Sequence, residues 1–135
     1  MSPRRPAGTT DAGSFERDVI LSDIPVLVEF WAPWCPPCQR LRPTLLQAAA
    51  GLAGAATVLT LNVDESPEIA DIYGIRSIPA ILLFLDGEPV EGWSGLPSAE
   101  TLVERTRRAI DLANGPRPRP APERRSVACR RRVRG

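Results

Sequence analysis

The sequence predicts an α/β sandwich, a central sheet with helices on both faces. Three observations predict it. The run Val26-Leu27-Val28-Glu29-Phe30-Trp31 is apolar on both alternating sets of positions except at Glu29, as a strand covered on both faces must be. Leu41, Leu45, Leu46 and Ala49 follow it at helical spacing. A second apolar run from Thr57 to Val63, a short helical stretch, a hairpin signal and a last helix complete an order that layers helices over a sheet. The 135 residues have polar ends, which frames one core domain and no internal repeat. About a hundred residues suffice to bury a core without disulfide staples.

Residues 1–10 are polar and carry Pro and Gly, so a flexible N-terminal segment is expected. Asp11 to Ser22 reads as a short helix with Phe15, Val19 and Ile20 on one face, capped by Asp11 or Ser14. Asp23-Ile24-Pro25 then turns the chain into the strand 26–31. A long helix should start near Cys35 and run to about Ala53. Pro36 and Pro37 fit its first turn, where no N–H is needed. Pro43, inside it, cannot donate to the carbonyl four residues back and should kink it. The segment 64–67 opens a short helix through Ile69, Ala70 and Tyr73, ended by Gly74. Ile75 to Pro79 is a loop, Ala80 to Leu85 a strand, and Asp86-Gly87 a hairpin turn. Pro89 to Ser94 should be an edge strand, since proline cannot donate to a ladder. Ser98 caps a final helix whose inner face is Leu102, Thr106, Ala109 and Ile110. From residue 114 to 135 the chain is rich in Arg and Pro, and a disordered tail is expected.

The chemistry is concentrated in Trp34-Cys35-Pro36-Pro37-Cys38. A strand ends, the chain turns, and a helix begins at the first cysteine. A thiolate there is stabilised by free backbone N–H groups and by the positive end of the helix dipole. A thiol one turn later can attack a mixed disulfide formed by the first. Three other readings of the pair compete with this one. A zinc site needs two more ligands, but there is no histidine, and the one other cysteine is Cys129 in the polar tail. A structural disulfide across so short a loop contributes little. Two core cysteines would be inert.

Charge is uneven. All 17 basic residues are arginine. Residues 114–135 hold eight arginines and one acid, Glu123, for a net +7; the remainder holds nine arginines and fifteen acids, for a net −6. The tail arginines could attract nucleic acid or an anionic surface, but no aromatic residue is interleaved to stack on bases. A solvated tail with an incidental thiol at Cys129 is the expectation. No stretch approaches the roughly 18 apolar residues of a membrane span, and the N-terminus lacks the apolar core of a signal peptide. A cytoplasmic protein with no membrane partner is expected.

From about Phe15 to Ala113 the sequence resembles the thioredoxin family. The segment from Val28 to Cys38 resembles its active-site stretch. Leu61-Asn62-Val63-Asp64 resembles its third strand, and Gly74-Ile75-Arg76-Ser77-Ile78-Pro79 its cis-proline loop. Asp86-Gly87 and Gly95 fall where that family has a hairpin and a later surface glycine. The resemblance implies a thioredoxin-like three-layer sandwich around a mixed sheet of four to five strands. The first family strand is poorly matched, because Pro6-Ala7-Gly8-Thr9-Thr10 does not alternate.

The same resemblance implies roles. Cys35 would be the exposed nucleophile and Cys38 the buried resolving thiol, cycling through a Cys35–Cys38 disulfide. Pro79 would be cis and lie against the cysteines, leaving the backbone of Ile78 to pair with an extended client. Trp34, Pro36, Pro37, Gly74, Ile75 and Gly95 would complete the client-binding surface. Ordinary core packing is the competing reading for Trp34, and a simple strand start for Pro79. Glu29 stands where the family usually has Asp, facing the underside of the cysteines, and would help deprotonate Cys38 with a pKa raised by apolar burial. The lysine common in the family near Thr60 is missing, so Glu29 is expected to be unpaired; a half-exposed edge acid is its alternative.

The function implied is reduction of protein disulfides by a cytoplasmic thioredoxin-type enzyme. No cofactor would be bound and no metal held. Electrons would come from an NADPH-dependent flavin reductase, thioredoxin reductase, and the partners would be client proteins with disulfides, met by a monomer. A more oxidising isomerase or oxidase is the alternative within the same chemistry. A non-catalytic thioredoxin-like binding subunit is the alternative from another class.

Overall fold

The computed structural model describes residues 7–114. Five strands form one sheet in the order β1-β3-β2-β4-β5. They are β1 Gly8–Thr10, β2 Val26–Trp31, β3 Thr57–Asn62, β4 Ala80–Leu85 and β5 Glu88–Ser94. The helices are α1 Pro36–Gly51, α2 Pro67–Ile72 and α3 Ala99–Asn114. β3 runs parallel to both β1 and β2, whereas β4 runs antiparallel to β2 and β5. The three-layer sandwich with a mixed sheet is therefore the fold.

β2 lies at the centre, which explains its apolar run. Val26, Val28 and Phe30 point to one side and pack with Phe15, Val19, Ile69, Ala70 and Phe84. Leu27 points to the other and packs with Leu41, Leu45 and Ala48 of α1 and Leu102 of α3. Alternation along a strand puts Glu29 and Trp31 on the α1 side with Leu27. On the opposite side Phe15, Tyr73 and Phe84 form a ring cluster with centroids 5.2–5.8 Å apart. Each such pair contributes about 0.5–1.5 kcal/mol beyond its buried area.

Several expectations are corrected. Gly8–Thr10, within the segment expected to be flexible, pairs with Leu59, Thr60 and Leu61 as β1. Backbone pairing on a sheet edge needs no alternating pattern, so composition did not mark it. The helix expected over 11–22 shrinks to one wide turn, Glu16–Ile20, closed by the Leu21 N–H on the Glu16 carbonyl. Asp11 instead makes a local turn, its carboxylate accepting the Ser14 N–H at 3.0 Å. Of the apolar residues at helical spacing in α1, Leu46 is 43 % exposed, while Leu41, Leu45 and Ala49 are buried together with Ala48. Asn114, expected in the tail, is the last residue of α3. Residues 1–6 and the basic tail from 115 on, Cys129 included, lie outside the described residues.

Two glycines are set by backbone need. Asp86 and Gly87 both have positive φ, 52° and 80°, which is the two-residue turn that matches strand twist in a hairpin. Gly74, at φ 66°, ends α2 in a Schellman motif. The Ile75 N–H reaches the Ala70 carbonyl at 2.9 Å, and the Gly74 N–H reaches that of Asp71 at 3.2 Å. That closure drops Ile75 back onto the core beside Ile78. Ser98 caps α3 as expected, accepting the Thr101 N–H at 3.0 Å.

Candidate active site

Cys35 is the N-cap of α1, with extended φ and ψ of −104° and 103°. Its neighbours Pro36 and Pro37 occupy the first helical positions and supply no N–H. The first N–H that faces back belongs to Cys38, and it reaches the Cys35 Sγ at 3.2 Å. Cys35 and Cys38 are disulfide-bonded, with Cα atoms 5.3 Å apart. The redox pair is thus assembled by a strand end, two prolines and one helical turn.

Contrary to expectation, Cys35 is not exposed. It is 3 % exposed and Cys38 is 2 %. The two form a small apolar cluster with Ala32, covered by Trp31, Val63 and Ile78. Those three come from the ends of β2 and β3 and from the loop before β4, which no local pattern could bring together. Trp34, by contrast, is a surface residue, 67 % exposed. Its indole N–H donates to the Asp64 carboxylate at 2.9 Å, and the Asp64 N–H is held by Asn62 at 2.8 Å. Ordinary core packing is therefore ruled out for Trp34.

Beside the disulfide a shallow groove of about 270 Å³ is lined by Trp34, Val63, Ile75 and Ile78, with Asp71 and Arg76 on its margin. The Ile78–Pro79 peptide bond is cis, and Pro79 is buried. The carbonyl of Pro79 accepts the N–H of Gly95 at 3.2 Å, which ties Gly95 to this loop. Gly95 and Gly74 are exposed but do not line the groove. A larger groove of about 640 Å³ lies between β5 and α3, lined by Val90, Glu91, Arg105 and Leu112, and includes no residue of the cysteine cluster.

Glu29 is 1 % exposed, so the edge-acid alternative fails. In register it lies between Thr60 of β3 and Ile81 of β4. Neither carboxylate oxygen has a hydrogen-bond partner among the described residues. Burial pushes its pKa from the ordinary 4.5 up to about 7, and the positive charge of Arg42 opposes part of that rise. Glu29 is unpaired, as expected, and no lysine stands by it; the positive charge that bears on it is that of Arg42 on α1. Sequence reasoning missed Arg42, although it stands four residues after Cys38 and hence on the same helical face. Among the described residues, no three His, Cys, Asp or Glu side chains gather in a way that could hold a metal ion. No described helix is long and apolar enough to cross a membrane.

A disulfide-bonded cysteine pair at the start of a helix that follows the central strand of this sandwich defines a thiol–disulfide oxidoreductase. The family model described as Thioredoxin matches residues 7–108, β1 included. The thioredoxin of Rickettsia bellii is 47 % identical over 91 residues, 67 % of this chain and 87 % of the relative. That of Rickettsia felis is 42 % identical over 104 residues, 77 % and 99 % of the two chains. Thioredoxin 1 of Synechococcus elongatus is 44 % identical over 97 residues, 72 % and 90 %. The chain belongs to the thioredoxin family, and its reaction is thioredoxin-type dithiol–disulfide exchange that reduces protein disulfides.

Proposed function

We propose that Cys35 is the attacking thiol, Cys38 the resolving thiol and Glu29 the acceptor of the Cys38 proton. The Cys35 thiolate attacks a client disulfide, forms a mixed disulfide and expels one client thiolate. Cys38 gives its proton to Glu29 and attacks the Cys35 sulfur. The Cys35–Cys38 disulfide forms, and the second client thiolate leaves and is protonated. The observation that carries this reading is the Cys38 N–H on the Cys35 Sγ at 3.2 Å at the start of α1. It favours negative charge on Cys35 and offers nothing equivalent to Cys38. A carboxyl with a pKa of about 7 is matched to accept a proton near neutral pH.

The groove beside Trp34 and Ile75 would seat an apolar side chain of the client, and the backbone of Ile78 would pair with the client's own. Pro36 and Pro37 would flank the approach to Cys35, Pro79 would keep a backbone N–H away from the sulfurs, and Gly74 and Gly95 would form the rim. We assign the electron supply to an NADPH-dependent flavin reductase and the work to the cytoplasm, where client thiols are kept reduced. The chain would act as a monomer with no bound cofactor.

The test is the equilibrium potential of the pair in a glutathione-buffered titration. Thioredoxins as a class lie near about −270 mV, isomerases near about −180 mV. With two prolines in the turn, Cys35 has fewer donors than a glycine there would give, which disfavours the thiolate and favours the disulfide. A value at or below the thioredoxin range is expected; one near the isomerase range would favour the oxidising alternative. In the same titration Pro36→Gly restores one N–H. A hydrogen bond to a charged group contributes about 1.5–3 kcal/mol, so the potential should rise by roughly 30 mV or more. The Cys35 pKa, followed by thiolate absorbance, should fall.

A further inference from the structure

Arg42 lies one turn beyond Cys38 on α1, so the two side chains share a helix face. That face rests on the side of β2 that carries Leu27, Glu29 and Trp31. The Arg42 guanidinium carbon lies 5.3 Å from the centroid of the Trp31 ring, within range of a cation–π contact. Its Nε is buried with no hydrogen-bond partner among the described residues, and so are both oxygens of Glu29. Glu29 is buried and Arg42 half-buried on the same side of β2, and an uncompensated buried carboxylate is costly unless an opposite charge offsets it. We propose that Arg42 is the counter-charge of Glu29, a positioning residue that holds the carboxylate ready to accept the Cys38 proton at neutral pH.

The surroundings leave this role to Arg42. β3 presents Thr60 beside Glu29 and β4 presents Ile81, neither of which titrates in this range. α3 contributes Leu102 to this side of the sheet, and the titratable or charged groups of the facing α1 surface are Cys38 and Arg42. Among the described residues, Arg42 is the charge that acts on the Glu29 carboxyl. Among the described residues the two form no direct ion pair, so the attraction acts at longer range. Arginine suits this place better than lysine would by its flat guanidinium, which lies over Trp31.

The inference rests on the reading of Glu29 as proton acceptor, and its test separates the two. The Glu29 carboxyl is titrated by carbon-13 NMR in the oxidised full chain, where neither thiol titrates, for the parent, Arg42→Met and Arg42→Lys. Methionine keeps an apolar stem over Trp31 and removes the charge. An opposite charge nearby lowers a carboxyl pKa by 1–3 units at close range, so Arg42→Met should raise the Glu29 midpoint by roughly one unit, with Arg42→Lys closer to the parent. Resolution of a preformed Cys35 mixed disulfide at pH 7 should then slow by roughly fivefold in Arg42→Met, with its pH profile moved to higher pH. A Glu29 midpoint unmoved in Arg42→Met overturns the proposal. A midpoint that moves while the rate profile does not overturns the acceptor reading, and the proton-transfer part of the proposal with it.

Discussion

Cys38→Ser is expected to turn the protein into a trap that accumulates mixed disulfides with its clients, whereas Cys35→Ser accumulates almost none. The asymmetry follows from the start of α1. Cys35 has the helix dipole and the Cys38 N–H at 3.2 Å to favour its thiolate. Cys38 lies inside the first turn of the helix and not at the N-cap, where the free N–H groups converge. Attack needs the thiolate, so at neutral pH the Cys35 route should exceed the Cys38 route by roughly tenfold or more. Without Cys38 the resolving thiol of the pair is gone. Non-reducing electrophoresis of each variant after incubation with a disulfide-containing client, with the adducts mapped by mass spectrometry, checks the assignment. Equal trapping by the two variants, or trapping by Cys35→Ser alone, would reverse the roles.

Glu29→Gln should make the oxidised protein more stable at alkaline pH and leave that advantage absent in acid. The folded carboxyl keeps its proton up to about pH 7, while an unfolded one releases it near 4.5. Between those values the native state binds more protons than the unfolded state, so stability falls as pH rises. Below about 4.5 both states are protonated and nothing is lost; above about 7 the full penalty applies. At 1.36 kcal/mol per pKa unit, the interval from 4.5 to about 7 corresponds to roughly 3 kcal/mol. The amide of glutamine is also buried, but its cost does not depend on pH. The informative quantity is therefore the difference between variant and parent, measured by urea unfolding across pH 4 to 9. The same variant should resolve mixed disulfides more slowly near neutral pH. A flat stability difference would mean that Glu29 does not titrate in this interval, and the acceptor role would go with it.

How far the sequence could be read depended on where each signal came from. β2 and β4 were legible to the residue because central strands are apolar on both faces. The hairpin at Asp86-Gly87, the cap at Ser98 and the helix start at Cys35 were legible because they are local backbone chemistry. β1 was not, since three residues held only by an edge ladder carry no periodicity. The burial of Cys35 was not, because its cover comes from Trp31, Val63 and Ile78 on separate elements. The hydrogen bond from Trp34 to Asp64 spans thirty residues and leaves no mark in the chain. Arg42 is the intermediate case. Its position on the Cys38 face was readable from helical spacing, but its action on Glu29 depends on how α1 settles against β2.

The measurement that tests the central claim most directly is turnover of insulin disulfides with dithiothreitol as the electron source. It needs no particular reductase and reads dithiol–disulfide exchange alone. The account predicts that catalytic amounts of the protein accelerate insulin reduction well above dithiothreitol by itself, and that Cys35→Ser removes the acceleration. A rate with both cysteines intact that is no faster than dithiothreitol alone would contradict it and leave the fold as a binding module without turnover.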